Sequence, residues 1–317
     1  MSSIFLSLEV SVFLFVEILL LCTVLIAFYY TIIILLHYDK TDRSELQYTL
    51  EKKSYLVGVI VFIALVTKIV LLPFFLYTLN ELTAIIPGAM CGAGVIGSNV
   101  YGEPLLLLKI AIVFLASLWI LLNIEEQRDV ARTLFREKLW FFGAIFTLLV
   151  IEIILEFFFL LNISTQNSVL CCSSIYNESA ESTAWILHIP NVGLVFTFYA
   201  LLLLTLGSNY KKYRVLNILL TLLLSYVSYY AIVYFFGTYI YELPTHTCPF
   251  CLFQMEYNYI GYFIFGSLFI ASFYSISSSL FIFTRENHTK AIWWYLLFVI
   301  IASYSFLLYI IKNKVFL

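Results

Sequence analysis

The sequence predicts an all-α, polytopic membrane protein: a bundle of about eight transmembrane helices with both termini outside the cytoplasm. Three observations predict it. Of the 317 residues 63% are hydrophobic and only 11% are charged, against about 25% charged in an ordinary soluble domain. Apolar runs recur from end to end, each near the roughly 20 residues that cross a hydrocarbon core. The runs are continuous rather than alternating, so they read as helices and not as the strands of a barrel.

The expected spans are roughly 12–36, 55–79, 105–124, 139–163, 188–207, 215–238, 258–283 and 291–311, in a single membrane domain over residues 1–317. The first apolar run, Ile4 to Leu36, has no basic segment before it and no small-residue cleavage site. It is therefore expected to be a retained span and not a removable signal. No internal repeat or low-complexity linker stands out. Aromatic residues are frequent, at 19%, and suit lipid-facing and packing positions.

Loop charge gives the orientation. The segments 37–54, 124–138, 208–214 and 284–290 hold 13 of the 17 basic residues. The segments 80–104, 164–187 and 239–257 hold no Lys or Arg, only Glu81, Glu103, Glu178, Glu181, Glu242 and Glu256. By the positive-inside rule the basic loops are cytoplasmic and the acidic loops face the periplasm or exterior. Lys312 and Lys314 at the C-terminus run against this assignment. The expected location is the cell's inner membrane. The expected surrounding is a lipid bilayer, and a net charge of −2 gives no reason to expect a nucleic-acid partner.

Five of the six cysteines fall in those external loops. Cys91 lies in a Gly-rich segment containing Gly88, Gly92, Gly94 and Gly97, which reads as a re-entrant loop or a compact cap. It has no phosphate-binding lysine, so no nucleotide is expected. Cys171 and Cys172 are adjacent in a polar loop of about twenty residues. Pairing with each other would strain them, so each is expected to bond elsewhere or to bind a soft metal. Cys248 and Cys251 form Cys248-Pro249-Phe250-Cys251. Pro249 suits the first turn of a helix. A helix start there would favour thiolates at Cys248 and Cys251, and a thiolate exchanges disulfides. His246 stands two residues earlier, able to accept a proton or to join a metal site. Cys22, in the first span, reads as a packing residue.

Cys248-Pro-Phe-Cys251-Leu-Phe-Gln254, leading to an apolar helix, resembles the redox motif of the DsbB and vitamin K epoxide reductase families. The resemblance covers about ten residues of the chain. It implies a membrane thiol oxidoreductase of four or five helices that exchanges electrons with a quinone. Cys248 and Cys251 would be the quinone-proximal pair, and Cys91, Cys171 or Cys172 would shuttle electrons to an exported thiol protein. The basic residue common after the motif in DsbB is replaced here by Met255 and Glu256.

Charges inside spans are costly and point to function or to ion pairing. Lys68 and Glu152 are near mid-span and of opposite sign, so they are expected to pair. Glu17, Lys109 and Glu156 lie nearer the cysteine side. Three functions follow, in order: a thiol–disulfide oxidoreductase; a copper or mercury carrier using Cys171, Cys172, Cys248, Cys251 and His246, with Met90 beside Cys91 as a further soft ligand; and a non-enzymatic subunit whose disulfides brace its loops.

Overall fold

A computed structural model describes residues 3–38, 44–128, 134–164, 168–169, 183–184, 189–281 and 286–314. It contains eight helices long and apolar enough to cross a membrane: α1 (Leu8–His37), α2 (Glu45–Glu81), α3 (Gly102–Arg128), α4 (Phe135–Leu161), α5 (Asn191–Lys211), α6 (Arg214–Ala231, continued to Tyr241), α7 (Ile260–Leu280) and α8 (Asn287–Asn313). The protein is a multi-pass helical membrane protein. The expected spans fall inside these helices to within a few residues. Five of the helices extend further at both ends, where polar turns carry on past the hydrocarbon, whereas α7 is shorter than its expected span 258–283 and α4 and α5 each fall short of theirs at one end. At 37 residues α2 is the longest, roughly 55 Å at 1.5 Å per residue, and its first turns expose Glu45, Glu51, Lys52 and Lys53.

The chain forms two compact units. The first comprises Met1–Pro87 and Val95–Asn167; the second comprises Gly88–Gly94 and Ser168–Leu317. In the first unit α1 packs on α2, α2 on α3, α3 on α4 and α4 back on α1, which closes a ring of four helices. In the second, α5, α6, α7 and α8 close the same circuit. Lipid is as apolar as leucine, so burying leucine drives little association here. Close backbone approach and interhelical polar contacts must supply it. Both are present. Ala27 and Ala116 in the first unit, and Ala231, Ala271, Ala291 and Ala302 in the second, are fully buried. Phe28 stacks on Phe146 at 3.9 Å between ring centroids. Phe198 meets Phe236 and Phe298 edge-on at 5.4 and 6.0 Å.

The helix ends follow local chemistry. The Gln47 side chain donates to the His37 carbonyl at 2.9 Å and so closes the end of α1. Glu242, with φ 54°, ends α6 in the left-handed conformation. Within α6 the segment Ile232–Phe236 winds as a π-helical turn. Cys22 is exposed on α1, so it is not the packing residue that the sequence led us to expect; it lies on the outward face of a helix whose inward face is Leu20, Val24 and Ala27.

Candidate functional site

Three cysteine sulfurs meet in the second unit. Beyond α6 the chain turns at Leu243–His246, where the His246 amide donates to the Leu243 carbonyl at 3.2 Å. Pro249 then opens a four-residue 3-10 turn, Phe250–Phe253. At three residues per turn, Cys248 and Cys251 fall on one side of it. Cys91, from the Gly-rich segment, completes the group. One sulfur from each lies within 4.8 Å of the other two, and Cys91 Sγ is 3.4 Å from Cys248 Sγ. That separation exceeds the roughly 2.05 Å of a disulfide bond and is close contact between sulfurs. Cys91, Cys248 and Cys251 are 0%, 2% and 5% exposed.

The cluster is held from several sides. The Gln254 amide donates to the Met90 carbonyl at 3.0 Å, tying the Cys91 segment to the Cys-Pro-Phe-Cys turn. The Tyr241 hydroxyl donates to the Cys248 carbonyl. Gly88 has φ +83°, and a Cβ there would stand 2.6 Å from the Val169 carbonyl oxygen, so the position needs glycine on both counts. Gly261 lets α7 approach the turn: a Cβ would lie 2.9 Å from the Leu252 carbonyl carbon. Gly261→Ala is therefore expected to cost about 1–3 kcal/mol and to lower the melting temperature in detergent. Gly266→Ala, with nothing within 4 Å, should leave it unchanged.

His246 packs edge-on against Tyr241 with ring centroids 4.4 Å apart, and among the described residues its Nε2 is buried without a hydrogen-bond partner. Burial, then the neighbouring Cys251, hold the Tyr257 phenol above its ordinary range, so at neutral pH it is an O–H donor.

Several expectations change here. The motif does not run straight into the membrane helix: the 3-10 turns Phe250–Phe253 and Met255–Tyr257 come first, and α7 starts at Ile260. Gln254 is extended and Asn258 and Tyr259 are left-handed, which breaks the helix. A four-residue turn carries little dipole, so the thiolate argument from a helix N-terminus falls away. Met90 is 69% exposed while Cys91 is fully buried. In the Gly-rich segment residues Gly92–Ile96 form a short helix, and Cys91 and Val95 are fully buried. Cys171 and Cys172 lie outside the described residues.

The intramembrane charges form a second cluster, in the first unit. The expected Lys68–Glu152 pair is present at 2.9 Å, but it is part of a larger group. Lys68 Nζ also contacts Glu17 at 2.6 Å. Lys109 Nζ contacts Glu152 at 2.6 Å, Glu156 at 2.7 Å and Glu17 at 3.4 Å. All five are 5% exposed or less. The rings of Phe13 and Phe75 lie 5.0 and 4.7 Å from Lys109 Nζ and seal its other side.

Two further polar groups escaped the sequence reading. Lys138 pairs with Glu126 at 2.7 Å and Asn123 at 3.2 Å, buried between α3 and α4. In the second unit Asn209, Asn217, Ser275, Ser279 and His288 link α5, α6, α7 and α8. Asn217 donates to Ser275 Oγ and Ser279 Oγ, each at 2.9 Å, and Asn209 Oδ1 lies 3.1 Å from His288 Nδ1. The signal was there: a Ser-rich stretch at Ser275–Ser279 and asparagines within apolar spans. Such residues serve as interhelical glue.

No family model, curated protein or solved structure matches the chain. Fold and site therefore define a class only: a multi-pass helical membrane protein with a buried three-cysteine cluster.

Proposed function

We propose that the protein is a membrane thiol–disulfide oxidoreductase with Cys248 and Cys251 as its reactive pair. The observation that carries this reading is the contact of a third sulfur, Cys91, with Cys248 at 3.4 Å, beside a Cys-x-x-Cys pair folded to one side of a turn. The four-helix ring of the second unit also agrees with the bundle size that the DsbB and vitamin K epoxide reductase resemblance implies. The basic-loop asymmetry supports a cluster on the periplasmic or exterior side of an inner membrane, where disulfides would persist.

The exchange balances within the cluster. Closing the Cys248–Cys251 disulfide releases two electrons and two protons. Attack of the Cys91 thiolate on Cys248 Sγ forms a Cys91–Cys248 bond, breaks Cys248–Cys251 and releases the Cys251 thiolate; the reverse runs equally. Cys171 and Cys172, or an exported thiol protein, are the expected next partners. A quinone is the carrier that the resemblance implies. His246 Nε2, buried without a hydrogen-bond partner among the described residues, would be free to meet one of its carbonyls, and a bound quinone would take up two electrons and two protons.

Trapping tests the exchange. In Cys251→Ser the Cys91–Cys248 disulfide can no longer be resolved by Cys251, and it should accumulate under mild oxidation. Peptide mapping without reduction should find it in most chains. Its absence would remove Cys91 from the path.

A second reading rests on one observation: three sulfurs within 4.8 Å of one another could hold a soft cation as thiolates. Stoichiometric copper on the reduced, purified protein, displaced by a chelator, would favour this reading over the first.

A further inference from the structure

We propose that the five-residue charge cluster of the first unit is a proton-binding site in the membrane interior, holding one exchangeable proton between Glu152 and Glu156. Charge counting leads there first. Three carboxylates (Glu17, Glu152, Glu156) face two ammonium groups (Lys68, Lys109), and every member is 5% exposed or less. Fully ionised, the cluster carries one unbalanced negative charge, and an uncompensated charge away from water is strongly unfavourable. One bound positive charge makes it neutral.

Geometry shows where that charge goes. Glu17 accepts from Lys68 through both oxygens, at 2.6 and 2.7 Å, and from Lys109 at 3.4 Å. Glu152 places one oxygen, Oε1, against both lysines, at 2.9 and 2.6 Å. Its other oxygen, Oε2, is buried with no hydrogen-bond partner among the described residues. Glu156 has a single ammonium contact, to Lys109 at 2.7 Å, the least countercharge of the three acids. Glu156 lies four residues after Glu152 on α4, hence on the same helix face. Oxygens of Glu17, Glu152 and Glu156 lie within 4.8 Å of one another. A proton on Glu156 removes the surplus charge where it is least compensated, with an oxygen of Glu152 within 4.8 Å and Glu152 Oε2 buried without a hydrogen-bond partner among the described residues. Two carboxylates that share one site do not both ionise readily, so one of them holds a proton and the two titrate as a pair.

The four helices of the ring supply all five groups: Glu17 from α1, Lys68 from α2, Lys109 from α3, and Glu152 and Glu156 from α4. The lysine Nζ atoms already occupy the positions around Glu17 and Glu152 that a metal cation would require. A proton needs none of them. A cavity of about 20 Å³, large enough in volume for one water, borders the cluster on the side of Glu17 and Lys68.

Infrared spectroscopy of the purified protein tests this without reference to any activity. At neutral pH the wild type should show the C=O stretch of one buried, protonated carboxylic acid per chain, shifted down in D2O. Glu156→Gln places a neutral amide where the proposal has a neutral acid. It should abolish that band while leaving the melting temperature within a few degrees of the wild type. Should that variant fold poorly, Glu152→Gln provides the second test, because it removes the other half of the pair and should also shift or abolish the band. The proposal is overturned if the wild type has no such band, or if the band survives unchanged in both variants. It is equally overturned if sodium, and not pH, changes the melting temperature.

Discussion

Cys248→Ser is expected to abolish thiol oxidation or reduction by membranes that contain this protein, by at least about a thousandfold, since a hydroxyl can neither form nor leave a disulfide. Cys251→Ser should do the same to turnover while trapping the Cys91 adduct. Folding should suffer far less. Serine is close in size to cysteine, and the penalty is that of placing a hydroxyl at a position 2% exposed, about 1–3 kcal/mol if it finds no partner. Turnover of a reduced reporter thiol and a melting curve, taken on the same preparation, separate the two effects. Loss of activity with a near-normal melt is the signature of a reactive residue. An unchanged turnover in Cys248→Ser would show that the cluster is structural.

Lys109→Met should produce the largest loss of stability of any substitution considered. The methionine keeps the length of the side chain and removes the ammonium that contacts Glu152, Glu156 and Glu17. Breaking a buried ion pair from one side costs about 3–5 kcal/mol, because the surviving charges stay buried without their partner. The expected result is poor recovery from membranes and a much lower melting temperature. Adding Glu152→Gln removes one of the stranded charges and should restore part of the loss. That coupling is read by comparing the double variant with the two single ones. Lys53→Met, at an exposed position, is the control and should change stability by under about 1 kcal/mol.

The spans were legible because bilayer thickness imposes one length and one composition on every crossing helix. Lys68 and Glu152 were legible as a pair for a related reason: a charge in hydrocarbon must find its opposite, and these two have matching depth. The addition of Glu17, Lys109 and Glu156 to the same knot depends on which helices adjoin, and hydropathy carries no information about neighbours. The site divides the same way. The Cys-Pro-Phe-Cys spacing pointed to Cys248 and Cys251, and the loop charges grouped Cys91 with them. The Gln254–Met90 hydrogen bond, between residues 164 positions apart, could not be read from spacing. Nor could the left-handed residues Asn258 and Tyr259, which separate the motif from α7. Asn visits the left-handed region more readily than most residues, but Tyr259 does so rarely, and one asparagine is a weak signal for the break. The Asn217–Ser275 network was missed because uncharged polar residues hardly disturb an apolar run.

The most direct measurement is the thiol state of Cys248 and Cys251 in isolated membranes, read by differential alkylation and peptide mass. After mild reduction both should be alkylated. After reoxidation through an added water-insoluble quinone, both should be protected and released together by a reductant. A pair that stays locked as a disulfide through the cycle, or that stays alkylatable whatever the state of the quinone pool, would contradict the assignment of this cluster as a redox centre.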